Sequence, residues 1–164
     1  MKPKLKFLLD YQCSCLWAAD ENTRKHFGDN ITDLKALGLS PDTIKICDEL
    51  VWLYSSRLNP IHPLLPSLWS GAMHRYFRNL LIKTYKRMMD ELGADYELIN
   101  EEIEEMLETT SEEEWDNQLR QFLDVPEKFC REAGIHFSTV RELRQEVKLA
   151  YENWKKKEDE ILRR

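Results

Sequence analysis

One run of sequence restricts the chain more than any other. Between Ser67 and Leu92, the residues Met73, Phe77, Leu80, Leu81, Thr84, Met88 and Leu92 recur at steps of three and four, which places them on one face of a helix. Arg75, Arg78 and Lys86 fall on the opposite face, with Lys83 and Arg87 near the border. Gly93 follows as a natural C-terminal cap. A helix of this length with a single apolar stripe is stable only when other elements cover that stripe. The rest of the chain must supply them.

It has the composition to do so. Of 164 residues, 42% are hydrophobic and 33% are charged, enough for one compact core and a wet surface. No apolar run approaches the roughly 18 residues of a membrane span. Lys4 to Leu9 reads as a strand, Asp10 to Ser14 as a turn, and Leu16 to Ala19 as the returning strand. Asp20 to Asn30 is polar and reads as a loop, and Ile31 to Leu39 holds a helical turn ended by Gly38. Ser40-Pro41 opens a helix, with Ile44, Cys47, Val51, Tyr54 and Leu58 on one face and Asn59-Pro60 as its stop. A proline-rich connector, residues 60–66, leads to the long helix. Tyr96 and Leu98 then suggest a third strand within Ala94 to Asn100.

Beyond residue 100 the patterning is helical. Glu101 to Glu108 is short and helical in composition. Ser111 with Glu114 forms a capping box before Trp115, Leu119, Phe122 and Leu123, and Thr139 with Glu142 forms another before Val140, Leu143, Val147, Ala150, Tyr151 and Trp154. Pro126 to Ala133 is a further short helix. The expected fold is α+β and mostly helical, a small N-terminal sheet of two or three strands with five to six helices. Residues 1–100 form the α+β core and residues 101–164 a helical C-terminal part packed on it as one domain.

Charge is distributed unevenly. The net charge is −6, which disfavours a general nucleic-acid binder. Residues 1–90 hold 13 Lys or Arg against 9 Asp or Glu, whereas residues 91–164 hold 11 against 21. From Glu91 to Asp116 there are 12 acids and no Lys or Arg. Runs of this kind are most often a solvated face. They also create a field that steers basic partners. Glu101, Glu102, Glu104, Glu105, Glu108, Glu112, Glu113 and Asp116 are the candidate partner-binding acids, and Trp115 is the candidate aromatic anchor. The competing use is internal, with Arg75, Arg78 and Lys86 neutralising the segment.

Catalytic signatures are absent. Cys13, Cys15, Cys47 and Cys130 share no local motif with His26, His62, His74 or His136. Cys13-x-Cys15 lacks a second Cys/His pair at zinc spacing, and no Gly-rich phosphate loop or Glu-x-x-His motif occurs. Val51 to Tyr54 and Pro66 to Trp69 read as core. The reading is therefore a non-enzymatic protein with neither metal nor cofactor. The free thiols and the brief N-terminal apolar run, ended at Asp10, point to the cytoplasm.

The opening Lys6-Phe7-Leu8-Leu9-Asp10-Tyr11-Gln12-Cys13-Ser14-Cys15-Leu16-Trp17 resembles small bacterial immunity proteins of polymorphic toxin and contact-dependent inhibition systems. So does the order strand, turn, strand, helix, longer helix, strand, acidic segment over residues 4–100. Residues 101–164 lie outside the resemblance. It implies a protein that binds one cognate toxin domain and blocks it. A nuclease toxin with a basic cleft would be met by an acidic face that mimics its substrate. Neither a membrane nor nucleic acid is an expected partner. The alternative is a helical interaction module whose last helix self-associates or binds a partner helix.

Overall fold

The structure is a computed structural model that describes residues 1–100, 102–103 and 110–164. It contains strands β1 (Lys4–Phe7), β2 (Leu16–Ala18) and β3 (Glu97–Asn100). Its helices are α1 (Glu21–Phe27), α2 (Pro41–Ser56), α3 (Gly71–Leu92), α4 (Glu112–Asp124), α5 (Pro126–Glu132) and α6 (Val140–Leu162). The fold is thus α+β and mostly helical, as the sequence patterning predicts. The short helix expected over Glu101 to Glu108 falls almost wholly outside the described residues. The chain divides into two compact units, Met1–Ser55 with Phe77–Thr109, and Ser56–Tyr76 with Thr110–Arg164.

The first unit is built on a three-stranded sheet of order β2-β1-β3. β1 pairs antiparallel with β2, Leu5 opposite Ala18 and Phe7 opposite Leu16. It pairs parallel with β3, Lys4 opposite Glu97 and Lys6 opposite Ile99. A hairpin turn suffices for the first pairing, whereas the second needs a long crossover, which α1, α2 and α3 supply. Strand alternation sends Leu5 and Phe7 into the core and leaves Lys4 and Lys6 half-buried. Leu16, Ile31, Leu50, Leu53, Leu81 and Met88 are fully buried in the same unit. The stripe read along α3 is observed throughout: every one of its seven positions is buried. Thr84 is tolerated there because its hydroxyl donates to the Leu80 carbonyl at 2.7 Å.

Three local expectations are corrected. Residues 21–27 are helix α1 rather than loop. Asp20 accepts hydrogen bonds from the Thr23 amide and hydroxyl, an N-cap that polar composition alone conceals. Helix α2 turns its deepest face to Thr43, Cys47, Leu50 and Leu53, with Ile44 and Val51 only half-buried. It also ends at Ser56, before Asn59. Helix α3 begins at Gly71, not Ser67, because Ser70 caps it through the Met73 amide.

The second unit packs α4, α5 and α6 with the connector before α3. Asn59 is buried and ties the connector together, donating to the Pro66 carbonyl at 2.8 Å and accepting from the Ile61 amide at 3.0 Å. The Ser111–Glu114 capping box is present in full. At α6 the Thr139 hydroxyl caps the Glu142 amide, but the Glu142 carboxylate takes the Ser138 hydroxyl instead of closing a second box. Leu119, Phe122, Cys130, Leu143, Val147, Trp154 and Ile161 are buried. Of the α6 stripe, Leu143, Val147 and Trp154 are buried, and Val140, Ala150 and Tyr151 are half-buried.

Candidate functional site

The acids that stand out in sequence have different fates. Glu91, in the last turn of α3, accepts from the Ser40 amide at 2.7 Å and the Ser40 hydroxyl at 2.8 Å, and also from the Thr43 hydroxyl. It fastens the start of α2. Burial pushes its pKa up, but these hydrogen bonds and the charge of Arg87 outweigh that and hold it below the usual carboxylate value. Glu102 is half-buried and accepts from the Leu9 amide at 3.2 Å, extending the polar pairing beyond β1. Glu97 pairs with Lys4 at 3.4 Å, and Asp95 is exposed. Glu101, Glu104, Glu105 and Glu108 lie outside the described residues.

In the second unit, Glu112 is half-buried and meets Arg75 at 2.9 Å, so one of the three cations considered for internal neutralisation does pair with the segment. Asp116 accepts from the Gly71 amide at 2.7 Å, placing a carboxylate at the positive end of α3. Glu113 is exposed, as is Glu114, which is engaged in the capping box. Trp115 is half-buried and stacks on His74 with ring centroids 3.9 Å apart and 9° between planes. His74 in turn meets Trp69 edge-on at 5.2 Å, and Trp69 stacks on Trp154 at 6.0 Å. Burial drives the His74 pKa down to about 4, with Arg57 adding to the effect and Asp116 opposing it. Glu158, 1% exposed, completes this group by accepting from the Trp154 indole and the Ser70 amide.

This distribution decides what the site residues can do chemically. Glu91, Glu102, Glu112 and Asp116 have oxygens committed to amides, hydroxyls or a guanidinium, so only part of their charge is offered outward. Glu113 projects into solvent. Among the described residues no group of three or more His, Cys, Asp or Glu is arranged to hold a metal ion. Cys15 and Cys47 are buried neighbours. Their mutual hydrogen bond, followed by burial, raises the Cys15 thiol well above its ordinary value, the opposite of nucleophile activation. No helix among the described residues is long and apolar enough to cross a membrane.

The first unit also holds a cleft that sequence patterning does not reveal. It has a volume of about 360 Å³ and lies between the β1–β2 turn, the segment around Leu34, and α2. Trp52, expected in the core, stands at its rim 49% exposed. The available signal is position: Trp52 is off the apolar face of α2 and one turn beyond Asp48. Beside the cleft, Tyr11 stacks on Tyr54 at 4.9 Å, and Gln12 holds a left-handed backbone at φ 61°.

A three-stranded mixed sheet with a long crossover of helices, followed by an acidic stretch, is the architecture of the first unit. The chain belongs to the Serratia CdiI immunity protein-like family, whose model matches residues 3–102. The match runs from the start of β1 past the end of β3 and so takes in the whole sheet. The N-terminal resemblance to immunity proteins of contact-dependent inhibition is thereby established. No curated protein matches the chain.

Proposed function

We propose that the protein is a non-catalytic immunity protein of the cytoplasm that binds one cognate toxin domain and neutralises it. The observation that carries this reading is the family match over residues 3–102, which spans all three strands. The finer reading is electrostatic. Glu101, Glu102, Glu104, Glu105 and Glu108, with Glu112, Glu113 and Asp116, supply negative potential toward a basic partner, and Trp115 serves as the aromatic anchor. A nuclease toxin suits this best, because an acidic face competes with a polyanionic substrate for the same basic cleft. Glu113, exposed on the first turn of α4, supports this reading.

The test is co-purification of the full chain with the toxin-like domain encoded by the neighbouring gene, at low ionic strength. A stoichiometric complex that abolishes toxin activity is expected. Absence of any complex under those conditions overturns the reading.

A further inference from the structure

We propose that the cleft at Trp52 and Asp48 is a receptor for a Lys or Arg side chain projecting from the protein partner. The cleft's volume, about 360 Å³, falls in the range of roughly 300–1,000 Å³ typical of sites that enclose a ligand group. Its walls include Leu34 and Val51, which suit the aliphatic stem of a long cationic side chain. Asp48 is its one charged lining residue, and among the described residues no cation pairs with it. The negative charge reaches the floor of the cleft, where it adds to the rise of the Cys15 thiol pKa. The Cys15 thiol, raised in this way, stays neutral and leaves Asp48 to set the sign.

Trp52 supplies the second element of recognition. An indole 49% exposed in the same cleft lining as a carboxylate is a partner for a cation, and Trp is the strongest of the aromatic residues in that role. Its indole N–H donates to no group among the described residues, so it is available to a partner carbonyl. Trp and Arg are also the residue types that most often dominate binding energy at the centre of interfaces. A neutral or acidic side chain would leave Asp48 unpaired and partly desolvated, which selects for the cation. All lining residues belong to the first unit, inside the region matched by the family model.

The identity of the partner rests on the immunity reading, and two measurements separate the cleft from that reading. In the first, N-acetyl-arginine methylamide is titrated into the full-length chain, with the citrulline analogue as the neutral control. The Trp52 indole N–H resonance, identified by its loss in Trp52→Phe, is followed by NMR. Saturable shifts are expected with arginine, at least fivefold weaker with citrulline, and Asp48→Asn removes that difference. Equal responses to the two probes, shifts that bypass Trp52, or concentration-dependent dimerisation through Trp52 overturn the proposal. In the second, the neighbouring toxin domain is bound to Trp52→Ala and to Asp48→Asn, each expected to weaken affinity tenfold or more. Undiminished binding by both variants overturns the cleft assignment and leaves the immunity reading standing. If the wild-type chain forms no complex, the immunity reading fails and the probe titration alone decides the cleft.

Discussion

Gly71 carries only hydrogen where any other residue would drive a methyl group into backbone. A Cβ at this position would lie 2.8 Å from the carbonyl carbon of Glu112 and closer still to its oxygen. That neighbour is the first residue of α4 and cannot rotate away as a side chain would. Gly71→Ala should therefore destabilise the chain by about 1–3 kcal/mol, the usual cost of overpacking, measurable by urea denaturation. A second residue-level consequence concerns His74. Its pKa in the folded chain, about 4, lies below the ordinary 6.5, so the unfolded chain binds a proton first as pH falls. The stability associated with neutral His74 is complete above pH 6.5 and is lost as pH drops toward 4. The loss is up to about 3 kcal/mol, since a tenfold difference in proton affinity between folded and unfolded chain is worth about 1.36 kcal/mol. His74→Phe keeps a ring between Trp69 and Trp115, and its stability should fall less steeply across that window in denaturation series taken at several pH values.

Between elements, much of the acidic segment acts as mortar. Glu91 joins the end of α3 to the start of α2 through three hydrogen bonds from Ser40 and Thr43. Its pKa is held below the ordinary 4.5, so the stabilisation is fully present above that value and disappears as pH falls through the folded pKa. Glu91→Gln should cost about 1–2 kcal/mol at neutral pH, the scale of a charge-assisted hydrogen bond. The gap between variant and wild type should close as pH falls below the ordinary 4.5 and through the lower folded pKa. If the gap in unfolding free energy is constant from pH 7 to pH 3, the carboxylate does not play this part. Elements also differ in how plainly the sequence announces them. The α3 stripe is legible because one face of one helix is buried for its whole length, so periodicity carries the information. Helix α1 is not, because its seven residues bury only Thr23 and its cap is a single Asp20 contact. The stack of Trp154, Trp69, His74 and Trp115 joins four residues from three stretches of chain. Nothing in their spacing announces it. Glu102 and Asp116 read as free acids because their amide partners, Leu9 and Gly71, lie 93 and 45 residues away in sequence. Trp52 reads as core by its apolar neighbours, though its position one turn after Asp48 places it on the solvent side.

For the molecule as a whole, the distinction between acids that hold the fold and acids that face outward makes the electrostatic reading testable. Charge reversal at Glu91, Glu112 or Asp116 confounds binding with stability, since each accepts a hydrogen bond within its unit. Glu113 is exposed, and Glu101, Glu104, Glu105 and Glu108 share the same cation-free stretch of sequence. Replacing these five by Lys changes the net charge from −6 to about +4, with each reversal worth two units. Steering by a summed field acts mainly on the association rate and is screened beyond about 10 Å at 0.1 M salt. The five-fold variant should associate with the toxin domain about tenfold or more slowly at low ionic strength. Dissociation should change far less, and the gap in association should narrow as salt is raised toward about 0.5 M. Stopped-flow measurements across a salt series provide the check. An association rate equal to wild type at low salt would remove the acidic segment from the encounter and leave recognition to the apolar and cation-binding features of the first unit. A rate that falls equally at every salt concentration would point instead to loss of direct contacts, because a screened field cannot act independently of ionic strength.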